Sequence, residues 1–496
     1  MEQQTLIETT AERAATAAGQ FAGTNPRRRA QALVRIADAL DSNAAELIPI
    51  AMRETGLGEA RLQGEVRRTS NQLRLFAEVI VEGAYLDVRI DDADPEYVVG
   101  PRPELRRMLQ PVGPVLNFAA SNFPFAFSVV GGDTAAALAA GCPVILKAHS
   151  GHPELSQRTA QIVVESLAAA GMPDNVFQIV AGQEVGVELL RDKRIRAGSF
   201  TGSTLVGRIL AEIAATREQP IPFYGELGSV NPAYATVGAF ELDPELVKGF
   251  LASVAGSAGQ LCTKPGFLFV PAQVALGDVA AAVGAVAPHR LLNVNIGRAF
   301  VGRRSEVIET PGVTVLAEGS VWSDEHDQQF VTPTVVEVSL DELLNTETLL
   351  EECFGPLSIV VRYEDVSDLA GVHRRLFPGN LTSTVRATES DWASGQLTEL
   401  ISALAETSGR VLFDGWPTGV SVTNAMQHGG PFPATTTDAT SVGTAAIGRF
   451  LRGVTYQSAP NAVLPKPLRD DNPWNVPQRR SVAGLSATWG TLQGTY

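Results

Sequence analysis

Cysteine is scarce in this chain, with three residues in 496. Three thiols cannot staple a protein of this length, which excludes a disulfide framework and suits a reducing compartment. Lysine is scarce as well, at five residues against 34 arginines. Where nearly every solvated cation is written as arginine, a retained lysine points to a place where a compact ammonium matters. Two of the five, Lys147 and Lys264, fall in segments of interest. Long apolar runs are missing. The longest apolar region, around Val129 to Leu146, is broken by Gly131, Gly132 and Asp133, and without about 18 to 20 consecutive apolar residues no membrane span is expected. Positive charge is outweighed, giving a net charge of −15, so nothing electrostatic recommends nucleic acid or anionic lipid as a partner. The opening Met1-Glu2-Gln3-Gln4-Thr5 carries no basic and apolar signal pattern. These absences lead us to expect a cytoplasmic protein.

What is present is a globular balance of 45% hydrophobic and 19% charged residues, enough to fill cores in two or three lobes at this length. Residues 4 to 80 read as helical, with Ala, Leu and Ile at three- and four-residue spacing through Arg27 to Met52. Asp91 to Pro103, acidic and Pro-containing, reads as a loop or projecting arm. A strand–helix alternation starts near Val112. Strands are expected at 115–119, 143–147, 176–180, 197–201 and 221–226, and helices at 125–140, 153–170, 186–191 and 203–215. That alternation predicts a parallel sheet covered on both faces, with ligands beyond the carboxyl ends of its strands. A second α/β region runs from about Leu246 to Ile447, opening on a helix-like stretch from Leu246 to Leu261. The tail from Tyr456 to Tyr496 is too poor in apolar periodicity for a core of its own and is expected to drape over its own or a neighbouring subunit.

The chemistry-bearing residues cluster at the expected strand ends. Cys262 sits in Gly259-Gln260-Leu261-Cys262-Thr263-Lys264-Pro265-Gly266, 36 positions after Glu226. A thiol and a carboxylate base suit covalent chemistry on a carbonyl, although a free cysteine taken singly is most often core. Asn122, in Ser121-Asn122-Phe123-Pro124, could donate to an oxyanion or could simply sit in a turn. Lys147 ends an apolar strand, with Ser150 three residues on. Thr201-Gly202-Ser203 joins a strand to a helix, where N–H groups and a hydroxyl suit a phosphate but also describe an ordinary N-cap. Glu352 and Phe354 offer a carboxylate and an aromatic ring. No Gly-x-Gly-x-x-Gly or Walker-type loop follows any strand. His149 and His152 lack a completing ligand set, so no metal site is expected.

Taken in order, Asn-Phe-Pro, strand-end Lys, Phe-Thr-Gly-Ser, Glu-Leu-Gly, Gly-Gln-x-Cys and Glu-x-Phe-Gly-Pro resemble the aldehyde dehydrogenase superfamily over about Ala11 to Tyr456. Gly415-Trp416-Pro417-Thr418-Gly419 and His428-Gly429-Gly430-Pro431-Phe432-Pro433-Ala434-Thr435 look most like the branch of 2,5-dioxovalerate (α-ketoglutaric semialdehyde) dehydrogenases, next to the NADP-dependent fatty-aldehyde enzymes. The resemblance implies an α/β fold with three parts. A cofactor-binding domain would take residues 1–90 and 112–228, a catalytic domain 229–447, and an oligomerisation arm with the C-terminal tail 91–111 and 448–496. It implies Cys262 as nucleophile, Asn122 in the oxyanion hole and Glu226 as the base that activates water. It assigns Lys147, Ser150, Gly182, Gly202, Ser203, Leu227, Glu352 and Phe354 to the cofactor. A homodimer or homotetramer is implied.

Ser150 stands where many NAD-preferring members carry Glu. A carboxylate there would repel a 2′-phosphate by roughly 1 to 4 kcal/mol, so its absence permits NADP without excluding NAD. The expected reaction is NADP-dependent oxidation of 2,5-dioxopentanoate to 2-oxoglutarate. The alternatives are medium- or long-chain aliphatic aldehydes as substrates, a CoA-acylating enzyme, which Glu226 argues against, and a cysteine hydrolase using Cys262 and His428.

Overall fold

The computed structural model describes residues 2–490. The N-terminal segment forms four helices, Glu2–Ala22, Pro26–Ser42, Ala44–Thr55 and Glu59–Glu82. The second starts where its sequence allows. The Asn25 side chain accepts the Arg27 N–H, and Pro26 fills the first turn, where a missing N–H costs nothing.

Five parallel strands then build the first sheet, in the spatial order Phe177–Val180, Val144–Lys147, Val115–Phe118, Ala197–Thr201, Phe223–Glu226. Their apolar runs are continuous because both faces are covered. Val115, Val144 and Leu146 point into a core shared with helices Pro26–Ser42, Glu59–Glu82 and Pro153–Ala169. The alternate residues Leu116, Ile145 and Phe118 point into a second core with Ile7, Leu189 and Leu210 from the opposite face. The period of two in a strand produces this split.

Two expected helices are shorter than the sequence suggests. Phe125–Val129 is a π-type turn with non-helical Phe127 and Ser128, and the α-helix begins only at Gly132. A Cβ on Gly131 would lie 2.2 Å from the Ala126 carbonyl oxygen, so the chain doubles back there in a way no other residue permits. The stretch from Leu246 ends as an α-helix at Ala255, and Ser257, Ala258 and Gly259 then take left-handed φ values of 51°, 54° and 66°.

The second sheet has seven strands, ordered Thr314–Ala317, Thr334–Ser339, Leu357–Tyr363, Phe267–Pro271, Pro232–Ala235, Asn380–Arg386, Ser408–Phe413. All neighbours are parallel except the first pair. Phe267, Phe269 and Val361 face one core, and Leu268, Val270 and Val360 the other.

A four-stranded sheet of Leu451–Gln457, Leu105–Pro111, Val88–Asp91 and Gln478–Ser481 stands apart from both. The expected boundary at residue 90 falls inside its strand Val88–Asp91. The tail does more than drape. It pairs in parallel with Val88–Asp91 and contributes Leu464, Leu468 and Val476 to a core with Leu86, Val88, Ile90 and Met108. The apolar residues of the tail are too sparse to form a core alone, but they complete one that the arm begins. The last six residues of the tail lie outside the described residues. Among the described residues no helix is long and apolar enough to cross a membrane.

A chain ending at Gln457 should therefore expose the arm's apolar face. We expect strong 1-anilinonaphthalene-8-sulfonate fluorescence and a lower apparent Tm than a chain ending at Gly490. An unchanged Tm would show that the tail is dispensable to this core.

Candidate active site

Glu226 is the last residue of the edge strand Phe223–Glu226, and the chain after it crosses into the centre of the seven-stranded sheet. The site forms at that crossing. Segment 434–436 lies antiparallel to the end of the strand, with the Leu227 N–H donating to the Ala434 carbonyl (2.8 Å) and the Thr436 N–H to that of Gly225 (3.0 Å). This pairing brings His428 and Ser441 to Glu226. The carboxylate is buried, with His428 Nε2 3.0 Å from Oε1 and the Ser441 hydroxyl donating to Oε2 at 2.6 Å. Burial pushes the Glu226 pKa up, but the imidazole and the hydroxyl outweigh it, and the net result is a fall to about 2.

Cys262 follows the left-handed turn at Ser257–Gly259. The turn depends on Gly259, where a Cβ would lie 2.3 Å from the Gly355 carbonyl carbon and 2.6 Å from Pro356 N. Asn231 holds the exit of the turn, its amide donating to the carbonyls of Cys262 (2.8 Å) and Lys264 (2.9 Å). Cys262 is partly exposed, whereas Cys142 and Cys353 are buried and each pushed up to about 11 by that burial. The Cys262 Sγ lies 3.6 Å from His428 Nε2. Burial first, and then the Glu226 charge, hold its pKa well above the ordinary thiol value, so the proton rests on sulfur.

One imidazole nitrogen thus faces both thiol and carboxylate, while His428 Nδ1 is buried with no hydrogen-bond partner. In a cysteine–histidine hydrolase relay the two ring nitrogens serve the two partners separately, so the expected alternative of a hydrolase is poorly served by this geometry. The donor atoms of Glu226, Cys262 and His428 lie within 4.8 Å of one another. A soft divalent ion could bridge them, and would block the thiol.

Asn122 is buried, and its amide donates to the Gln260 carbonyl at 3.1 Å, which places it against the cysteine turn. The other expected residues lie along the carboxyl edge of the five-stranded sheet or across from it. Lys147 is half-buried, and its pKa is lowered by burial. Ser150, Gly182, Gly202 and Ser203 are exposed. The Ser203 hydroxyl accepts the Val206 N–H at 3.4 Å, so it caps its helix as well as facing solvent. Leu227 is buried under Gly207, where any Cβ would strike it at 2.1 Å. Phe354 is half-buried. Glu352 packs over Gly228, whose Cβ would meet its Oε2 at 2.4 Å. Burial raises the Glu352 pKa to about 7, against the opposing pull of Lys264.

Relationship to known proteins accords with this geometry. The aldehyde dehydrogenase family model matches residues 1–372. The chain belongs to the aldehyde dehydrogenase family. It is 39% identical over 477 residues to the α-ketoglutaric semialdehyde dehydrogenase of Acinetobacter baylyi, covering 95% of this chain and 90% of that protein. It is 41% identical over 460 residues to α-ketoglutaric semialdehyde dehydrogenase 2 of Azospirillum brasilense, covering 91% and 86%. The fold is shared with a 1-pyrroline-5-carboxylate dehydrogenase (TM-score 0.74, 21% identity, 91% of this chain and 86% of that one). It is shared also with the glyceraldehyde-3-phosphate dehydrogenase GapN of Methanocaldococcus jannaschii, solved with NADP (TM-score 0.75, 19% identity, 91% and 93%). The family oxidises aldehydes with NAD(P).

Sequence reasoning passed over Asn231 and Ser441 and named His428 only for a competing chemistry. Asn231 follows the Glu-Leu-Gly motif closely, and a polar residue at the head of an apolar strand was the signal available for it.

Because the folded pKa of Glu352 lies above its unfolded value of 4.5, its charge costs stability. That cost is absent below the unfolded pKa, grows as pH rises toward about 7 and is complete above it. Glu352→Gln should raise Tm relative to the parent at pH 8, with the gain vanishing at about pH 4.5. A gain independent of pH would show that the carboxylate is not strained by burial.

Proposed function

We propose that this chain oxidises 2,5-dioxopentanoate (α-ketoglutaric semialdehyde) to 2-oxoglutarate, with NADP preferred and NAD accepted. The observation that carries the chemistry is the convergence of Cys262, Glu226 and His428 beside Asn122. The substrate is supported by 39% and 41% identity, over nearly the whole chain, to two enzymes named for that aldehyde.

The residues perform the reaction as follows. Cys262 attacks the aldehyde carbon as its thiolate, the thiol proton passing to solvent as the sulfur–carbon bond forms. The Asn122 amide and the Cys262 backbone N–H stabilise the resulting oxyanion. Bound nicotinamide dinucleotide supplies the hydride acceptor. With the hydride gone, the carbon is held on Cys262 as a thioester. Glu226 then takes a proton from water, whose oxygen displaces the thiolate and releases a carboxylic acid. His428 and Ser441 hold Glu226 in place and charged between these steps.

The cofactor residues fit a dinucleotide. Lys147 ends one strand, Gly182 follows the next, and Gly202-Ser203 open a helix of 13 residues, Thr204–Thr216. That edge offers an ammonium, a glycine at φ 98° that clears the backbone, and free N–H groups suited to a pyrophosphate. Across the crevice Glu352 would take ribose hydroxyls, with Phe354 packing near the ring. Leu227, buried beside Glu226, would back the nicotinamide. Ser150, exposed and uncharged, leaves room for a 2′-phosphate. We further propose a homodimer or homotetramer in which the four-stranded sheet meets a second copy, and the domain division given by the resemblance.

Reduced-cofactor formation from 2,5-dioxopentanoate, succinic semialdehyde and hexanal, each with NAD and NADP, tests the reading. The expected outcome is the highest kcat/KM for dioxopentanoate with NADP, and a higher value for hexanal would overturn the substrate.

The roles separate in variants. Cys262→Ala should abolish turnover. Glu226→Gln should give a burst of reduced cofactor of about one per site, then stall, because water activation is lost after the hydride has left. A variant with no burst would mean that Glu226 is needed for the attack itself.

A further inference from the structure

Helix Glu59–Glu82 places Arg61, Glu65 and Arg68 on one face, at i, i+4 and i+7. That face is turned inward. Glu65 is buried, and its Oε1 accepts the N–H groups of Phe125 (2.8 Å) and Ala126 (3.0 Å). Arg61 lies 3.4 Å from its other oxygen and donates to the Asn122 carbonyl at 2.7 Å. Arg61 therefore has a structural partner and a structural task.

Arg68 has neither. Its guanidinium stacks 5.0 Å from the Phe127 ring centroid, and Nε makes only a long contact of 3.4 Å to the Val420 carbonyl. Its Nη1 is buried with no hydrogen-bond partner. An unsatisfied buried guanidinium nitrogen is costly. The Phe127 ring on which it lies is 6.4 Å from the His428 ring, and His428 is the residue in contact with the Cys262 sulfur. From the other side of loop 417–420, Arg410 donates to the carbonyls of Pro417 (2.7 Å) and Gly419 (2.9 Å) and finds no carboxylate either. Burial works against the charge of both guanidiniums. Of the three arginines only Arg61 has a carboxylate within ion-pair reach among the described residues, that of Glu65, and Glu226 is committed to His428 and Ser441. Surplus positive charge therefore sits in a partly desolvated place next to Phe127, which neighbours His428.

We propose that Arg68, supported by Arg410, is the anchor for the carboxylate at the far end of the substrate and the residue that selects aldehyde acids over neutral aldehydes. The inference rests on the α-keto acid substrate proposed above. An anionic tail supplies the missing hydrogen-bond acceptor and offsets the surplus charge, neither of which an alkyl tail can do. In 2,5-dioxopentanoate four carbon–carbon bonds separate the aldehyde carbon from the carboxylate carbon, a reach of roughly 5 Å when extended. The C2 keto oxygen adds a second acceptor for a planar fork of donors.

Two measurements test the assignment. In Arg68→Met, which keeps the length of the stem, the ratio of kcat/KM for dioxopentanoate to that for hexanal should fall by about thirtyfold, or about 2 kcal/mol, with the loss in KM rather than kcat. In the parent protein, 2-oxobutanoate, an α-keto carboxylate with no aldehyde, should compete with hexanal at least tenfold more strongly than neutral 2-butanone does. An unaltered ratio in Arg68→Met, or equal inhibition by the two ketones, would overturn the proposal. The inhibition result stands even if the variant fails to fold. A parent enzyme that favours dioxopentanoate while Arg68→Met keeps the ratio refutes only the anchor. A parent enzyme that favours hexanal refutes the substrate reading itself.

Discussion

The site depends on one side-chain amide. Asn231, at a left-handed φ of 47°, accepts from the Ser229 hydroxyl and from the N–H and hydroxyl of Thr382, and donates to the carbonyls of Cys262 and Lys264. It thereby joins the chain entering strand Pro232–Ala235, the neighbouring strand Asn380–Arg386 and the cysteine turn. Only an amide can both donate and accept in this way. An aspartate would set a charge against two carbonyls, and an apolar residue would orphan several buried groups at about 1–3 kcal/mol each. The position of the thiol is therefore set from the seven-stranded sheet, while Glu226 belongs to the five-stranded one. Reactive partners carried on separate sheets can meet only if the junction is rigid, and the pairing of segment 434–436 with the Glu226 strand provides that rigidity.

The electrostatics follow from the same junction. A buried carboxylate would ordinarily take up a proton. Here His428 and Ser441 keep it ionised, and its charge in turn keeps the proton on sulfur. The resting state is thus a charged carboxylate beside a neutral thiol.

Much of this was legible in the sequence. The strands of the five-stranded sheet read as short apolar runs because both of their faces are buried, and the motif order located Asn122, Glu226 and Cys262. Other features were hidden for physical reasons. The break after Ala255 is invisible to propensity, since Ser257 and Ala258 seldom adopt left-handed angles, and they do so here because Gly259 must pass close to Gly355 and Pro356. The tail looked too polar to form a core because its three apolar contributors serve a core begun nearly 400 residues earlier. The spacing of Arg61, Glu65 and Arg68 is equally that of a solvated ion-pair face, and nothing in it reveals that residues 122–127 and Val420 close over them.

The contrast among the three thiols has a practical consequence. Cys142 and Cys353 are sealed in cores, whereas Cys262 is partly exposed. An alkylating reagent applied to the folded protein will therefore be taken up once per chain, at the sulfur where the aldehyde would bind. The chain carries its own titrant, and the fraction of correctly assembled molecules in a preparation can be counted by mass alone, without substrate or cofactor.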